Sequence, residues 1–306
     1  MEILVQQIIN GLTTGTLFAL IAIGYTMVYG IIELINFAHG DLFMLGSFLA
    51  LSLVSLMGLE NATPAMATGG IVLAFLASMS FCGLLNFLQD RIVYRPLRNA
   101  PKLTPLVSAI GVSFVFMGVG QIWKGVADLN FPSIVPNKNL LPGTDPDSLQ
   151  FTAKDLLVIL ITVPLMGALT VFVRFTNLGK AMRATAQNPV AARLMGIDVD
   201  RVIGWTFAIG GMLAGAASVI YGLTINTVSF QMGYQNGLYA FTAAVLGGIG
   251  NLPGAMLGGI VIGLVRSLGS QYVGEQWTSA LVFAILIILL VFRPSGLLGT
   301  RTREKV

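Results

Sequence analysis

The sequence of 306 residues holds one cysteine, Cys82, and one histidine, His39. Neither a disulfide framework nor a multi-His or multi-Cys metal site can be assembled from so few ligands. Charged residues are scarce too, 10% of the chain against about 25% in an ordinary soluble domain. No Lys or Arg precedes the first apolar run and no small-residue cleavage site follows it, so we expect that run to be a retained span rather than a signal peptide. There is no Walker A sequence. The nearest string, Asn177-Leu178-Gly179-Lys180-Ala181, has Arg174 where the leading glycine belongs and no Ser or Thr after the lysine. The absence of paired carboxylates, His clusters and Ser/His/Asp sets from the apolar segments argues against a membrane-embedded enzyme.

What is present is apolar surface. Hydrophobic residues make up 55% of the chain. A bilayer forces each span to satisfy its own backbone hydrogen bonds, and the long unbroken runs exclude a β-barrel, whose strands are about ten residues and alternate. The fold class is all-α integral membrane, a polytopic bundle of about eight to ten transmembrane segments in a single transmembrane domain, 1–306. Candidate spans are Ile3–Tyr29, Leu42–Leu59, Ala65–Phe87, Thr104–Trp123, Leu156–Val173, Ile203–Gly222, Tyr239–Gly250, Pro253–Leu268 and Gln276–Phe292. The seventh and eighth are short and glycine-rich, and read either as thin crossings or as one re-entrant hairpin.

Basic residues set the orientation. Arg91, Arg95, Arg98 and Lys102 form one cluster, Arg174, Lys180, Arg183, Arg193 and Arg201 a second, and Arg293, Arg301, Arg303 and Lys305 a third. All three, and with them the C-terminus, are expected in the cytoplasm. The loop 124–155 balances Lys124, Lys138 and Lys154 with Asp128, Asp145, Asp147 and Asp155, carries Pro132, Pro136, Pro142 and Pro146, and is expected outside. Span one ends Val28-Tyr29-Gly30 and span six ends Ile220-Tyr221-Gly222, each followed by a polar stretch and a glycine-dotted helix. These matching ends face opposite sides, as in an inverted repeat, where interrupted helices mark the transport path.

Three motifs stand out. Asn36 to Asp41, NFAHGD, admits two readings: a polar loop in which Asn36 or Asp41 caps the next helix, or a broken helix dipping into the membrane with its positive end toward an anionic substrate group. The residues leave both open. Gly247-Gly248-Ile249-Gly250-Asn251-Leu252-Pro253 breaks a helix, either as a turn or as backbone exposed to a path. The pairs Gly11/Gly15, Gly211/Gly215, Gly254/Gly258 and Gly259/Gly263 are spaced for close helix packing. The segment 174–202 contains a basic, small-residue helix, Ala181 to Val202. Its thin face (Ala184, Ala191, Ala192 and Gly196, with Gln187 and Asn188, flanked by Arg183 and Arg193) suits a groove on a partner.

The strings GYTMVYGIIELINFAHGD (Gly24 to Asp41), NPVAARLMGI (Asn188 to Ile197) and AFTAAVLGGIGNLPGAMLGG (Ala240 to Gly259) resemble the permease subunits of bacterial ABC importers for branched-chain amino acids. The likeness runs from about residue 8 to the C-terminus. It implies an inner-membrane, multi-pass subunit without a cofactor of its own, paired with a second homologous permease. It further implies two cytoplasmic ABC ATPases that hydrolyse ATP, a periplasmic substrate-binding protein, contact with membrane lipid and none with nucleic acid. The 174–202 segment corresponds to the part that meets the ATPase. The implied mechanism is alternating access along a path near Asn36, His39, Asp41, Gly247, Gly248 and Gly250. Related permeases move urea, short amides or other neutral amino acids. A stand-alone gradient-driven carrier is the rival class, disfavoured by the lone histidine and the few acidic residues in the spans.

Overall fold

The computed structural model describes residues 2–98, 100, 101, 103–141 and 149–299. Lys102, Pro142, Asp145, Pro146, Asp147, Arg301, Arg303 and Lys305 lie outside the described residues. The helices are α1 (Glu2–Ile32), α2 (His39–Leu56), α3 (Pro64–Leu97), α4 (Leu103–Lys124), α5 (Ala153–Phe175), α6 (Asn177–Gln187), α7 (Pro189–Leu194), α8 (Val199–Ile225), α9 (Met232–Gly247), α10 (Leu252–Tyr272) and α11 (Glu275–Phe292). Eight of these are long and apolar enough to cross a membrane. The exceptions are α6, α7 and α9. The expected seventh span, Tyr239–Gly250, is displaced: its helix starts at Met232, ends at the glycine pair 247–248 and has 16 residues, short for a hydrocarbon core of about 30 Å. The fold is the expected all-α bundle, with one short strand pair added among the described residues. Strands β1 (Leu129–Asn130) and β2 (Thr227–Val228) pair antiparallel and tie the 124–155 loop to the end of α8.

Helices α1, α2 and α8 are mostly buried, whereas α3, α4, α5 and α11 expose most of their apolar surface. Lipid tails are as apolar as leucine, so helices in a bilayer gain little from burying large side chains and associate through close van der Waals packing. The glycine pairs supply that packing. A Cβ at Gly11 would stand 2.9 Å from the Leu264 Cα, and one at Gly15 would stand 2.8 Å from the Ile260 Cα, while Gly259 and Gly263 lie against Ala19 and Gly15. Helices α1 and α10 therefore run antiparallel with backbones in contact. A Cβ at Gly215 would stand 2.8 Å from the Met79 Cα of α3, and Gly254 and Gly258 close α10 onto Gly247 and Ala243 of α9.

The bundle has one basic end. Val28, Ile31 and Ile32 of α1 pack there with Tyr94, Ala192 and Val199, and the Gly248 turn meets the backbone of Ser295 and Gly299. At the opposite end Ser267 donates to the Gln7 carbonyl (2.8 Å), Gln6 to the Gln150 carbonyl (3.0 Å), and Lys154 to Asn226. Replacing Gly15 or Gly263 with leucine is expected to force α1 and α10 apart. Membrane-embedded protein should fall several-fold, while Gly111→Ala, at a position with open space, should leave the level unchanged. Quantitative immunoblotting of membrane fractions checks both.

Candidate functional site

The NFAHGD motif forms a joint inside the bundle. After Ile32 the chain turns back, so that the His39 ring lies against Gly24, well before the end of α1. Helix α2 thus begins inside the bundle, with His39, Gly40 and Asp41 all buried. This is the broken helix, not the capped surface loop. The residue preceding the first turn is Ala38, and no side chain caps it. Asn36 is instead the hub of a buried cluster. Its carbonyl oxygen accepts from Gln89 Nε2 (2.8 Å) and Tyr94 Oη (3.1 Å), and its amide donates to Asn86 Oδ1 at 3.2 Å. Asn86 in turn donates to the Phe207 carbonyl (2.7 Å). A π-helical turn over Asp90–Tyr94 turns Tyr94 into this cluster.

A second helix starts at the same place. Gly233 and Gly237, in the first two turns of α9, pack against Gly40, and a Cβ at Gly237 would stand 2.9 Å from the Gly40 Cα. The N-terminal ends of α2 and α9 therefore converge, one following α1 and the other α8. Both positive helix ends already have an anion: the Asp41 carboxylate lies in the first turn of α2 and against Gly233 of α9. Asp41 Oδ2 accepts from Ser113 of α4, while Oδ1 has no hydrogen-bond partner among the described residues. His39 stacks edge-on with Tyr25, ring centroids 4.7 Å apart. Neither of its nitrogens completes a hydrogen bond within the described residues, although the Ile21 carbonyl lies nearby.

Two openings flank this joint. The larger, about 220 Å³, lies at the N-terminal end of α1, with Asn10, Thr14, Phe18 and Ile21 on one wall and Asn236 and Arg266 on another. The smaller, about 10 Å³, is a crevice of Tyr25, Tyr29, Ile35, Phe241, Ala244 and Ile249. In the crevice lining Tyr25 and Phe241 stand 6.2 Å apart by ring centroids. Helix α1 contributes one stripe to both, since Thr14, Ile21, Tyr25 and Tyr29 recur near helical spacing.

The Gly247–Pro253 break borders the crevice through Ile249, and Gly250 abuts Gly30. Its carbonyls are not left open. Leu297 N–H donates to the Leu246 carbonyl (2.8 Å) and Leu298 N–H to the Gly247 carbonyl (3.0 Å), so the C-terminal segment closes over this turn. Gly248 has φ 104°, a conformation that favours glycine, and Gly247 packs on Gly254. Among the described residues, Asn36 bonds to Asn86, Gln89 and Tyr94, while Gly247 and Gly248 pack on Gly254 and Gly299.

The 174–202 segment departs from its expected single helix. Asn188 accepts from the N–H groups of Val190 and Ala191 (both 3.0 Å) and Pro189 opens a new helix, so α6 stops and α7 starts in a different direction. The thin face does not stay together. Ala192 is buried against the bundle, while Ala191, Gln187 and Gly196 are exposed. Arg183 donates to the carbonyls of Val173 and Arg174. What faces outward is bulkier: Val190 (65% exposed), Leu194 (84%) and Met195 (83%). Behind them Asp200 draws Arg193 (3.7 Å), Arg95 (3.5 Å) and Arg98 together, and Arg98 also pairs with buried Asp90 at 2.6 Å.

A family model described as the permease component of the branched-chain amino acid transport system matches residues 7–291. The chain belongs to this family. It is similar to the high-affinity branched-chain amino acid transport system permease protein BraD of Pseudomonas aeruginosa, 40% identical over 98% of this chain and 97% of the relative. LivH of Escherichia coli K12, a permease of the same description, is 38% identical over the same shares. A probable LivH of Methanocaldococcus jannaschii is 26% identical over 93% of this chain and 89% of its own. No solved structure matches the chain. Membership in a multi-pass permease family accords with the eight apolar helices and places the two openings in a transport protein.

Sequence reasoning missed Asn10, Asn236, Ser113, Asp200 and Arg266. The one available signal was Arg266, a cation within the otherwise apolar LGGIVIGLVRSLGS. Asn36→Ala would leave Gln89, Tyr94 and Asn86 without this partner in a buried cluster. We expect a loss of about 1–3 kcal/mol, read as a lower unfolding temperature of the purified protein in detergent.

Proposed function

We propose that this chain is the transmembrane permease subunit of an ATP-driven importer of leucine, isoleucine and valine. The near full-length likeness to BraD carries this reading. The geometry suits it: a half-open cavity with an apolar wall and a few polar groups, and a narrow crevice farther along the same stripe of α1. The chain translocates its substrate and does not transform it. It works in the inner membrane with its basic end, and hence its C-terminus, in the cytoplasm. The larger opening then faces the periplasm, where a binding protein delivers the amino acid. Two ATPases bind at the basic end, and a second homologous permease completes the transmembrane unit.

In this reading the substrate passes from the larger opening, through the Tyr25–Phe241 contact and beside Asn36, His39 and Asp41, to the crevice next to Gly247, Gly248 and Gly250. The joint at Gly40/Gly233 is the part that moves. Main chain meets main chain there at Gly40, Gly233 and Gly237, with only Asp41 and Tyr25 alongside, so two helix ends slide with few side chains to displace.

The ATPase meets α6 and α7, with Val190, Leu194 and Met195 as its apolar anchors amid Arg183 and Arg193. Motion of α7 reaches the joint through named contacts: Arg193 to Asp200, Asp200 to Arg98, Arg98 to Asp90, and neighbouring Gln89 to Asn36. Leu194→Glu with Met195→Glu should abolish co-purification of the ATPases and ATP-dependent leucine uptake, with permease abundance in the membrane unchanged. Retained ATPase and normal uptake would sink the docking assignment. Asp200→Ala should leave the complex assembled and lower leucine uptake at least ten-fold, which co-purification and radiolabelled uptake read separately.

A further inference from the structure

The larger cavity contains a feature that the joint lacks, a cation held by its acidic neighbour only at 3.8 Å. Arg266 sits on α10, within a span, and its side chain is 29% exposed. Its guanidinium lies over two aromatic rings, 5.1 Å from the Tyr239 centroid and 5.7 Å from that of Phe18. Cation–π contact holds the planar fork without consuming its N–H donors. Its one acidic neighbour among the described residues, Glu275 at the rim, is 3.8 Å away, at the edge of ion-pair range. A charged group held at membrane depth by rings, and facing a cavity instead of a close partner, is arranged for a ligand. The joint offers no equivalent, because Asp41 already occupies both helix ends.

The rest of the lining matches the other parts of one molecule. Asn236 donates its amide N–H to the Met232 carbonyl (3.0 Å), which turns its own oxygen toward other donors. That oxygen and the Glu275 carboxylate are acceptors for an ammonium. Leu17, Phe18 and Ile21 form an apolar wall for a branched aliphatic side chain. At about 220 Å³ the cavity has room well beyond a single water, whose share of liquid volume is about 30 Å³.

We propose that this cavity is a transit subsite for a free zwitterionic α-amino acid, with Arg266 binding its carboxylate through paired N–H donors. The proposal deepens the transport reading and rests on it. Glu275 moves from Arg266 to the ammonium when the amino acid arrives, so the site is neutral both empty and filled. Exchange of partners keeps binding weak enough for onward passage.

Two experiments on the complex purified from membranes decide it. In the first, Ser270→Cys places a thiol on the cavity wall, where maleimide alkylation is followed by mass spectrometry; the native Cys82 is fully buried. Millimolar leucine should slow alkylation at least three-fold. Isopentylamine, which lacks the carboxylate, should not, and adding Arg266→Gln should abolish protection by leucine. In the second, Arg266→Gln should lower leucine uptake into proteoliposomes at least ten-fold, with Arg266→Lys intermediate and binding-protein-stimulated ATP hydrolysis retained in both. Leucine that gives no protection, or equal protection by isopentylamine, overturns the subsite even where uptake is normal. So does wild-type uptake by Arg266→Gln. A wild-type complex that imports no branched-chain amino acid fails the transport reading instead, and the alkylation result still judges the cavity.

Discussion

The backbone contact between α1 and α10 is the constraint on which the rest depends. Water supplies no hydrophobic drive between helices already in lipid, so the pair holds by fitting main chain against main chain. Gly11, Gly15 and Ala19 on one side and Gly259 and Gly263 on the other make that fit. The same contact forms the back wall of the larger cavity, since Gly263 lines it and Arg266 follows within one turn. It also fixes the level of Gly30 against Gly250, and so of the crevice at the basic end. One packing decision therefore sets the distance between two openings along α1.

Against that pair stands an interrupted joint. Two helices, α2 and α9, begin inside the bundle and meet at Gly40, Gly233 and Gly237. A bilayer tolerates interrupted backbone only where protein or water satisfies the exposed groups. Here Asn36 and its partners Gln89, Tyr94 and Asn86 brace the chain entering α2, while the Asp41 carboxylate sits at both positive ends. Both positive helix ends thus meet one carboxylate without a ligand, although its Oδ1 has no hydrogen-bond partner among the described residues. That moves the search for a carboxylate-binding group to Arg266, in the next compartment along the stripe.

The basic end is organised around two acidic residues, Asp200 and the buried Asp90, which share Arg98. Asp200, at the start of α8, gathers cations from α3 and α7. Asp200, Arg95 and Arg193 are partly exposed, so their pairs contribute little each, and only the Arg98–Asp90 pair is deeply buried. The arrangement links α7 to the end of α3. Its exposed face carries Val190, Leu194 and Met195, apolar groups on an otherwise basic surface.

The sequence by itself determined the class of the protein, because composition and run length answer directly to the solvent. Few charges and long apolar runs leave only a helical bundle, and the small-residue pairs at helical spacing named the packing faces. It also marked Asn36 to Asp41 and the 247–253 break, since polar groups and glycine clusters in such a chain are rare. Tertiary structure decided what those marks mean. Whether residues 33–38 turn outward or back into the bundle depends on Gln89, Tyr94 and Asn86, all about fifty residues away in sequence. Whether the Gly247 carbonyl is open depends on the C-terminal segment, and whether Ala192 faces out depends on Tyr94 and Val199. The cavity itself draws its lining from α1, α8, α9, α10 and α11, and no local pattern records such a meeting, because periodicity reports which face is apolar and not which helix will cover it.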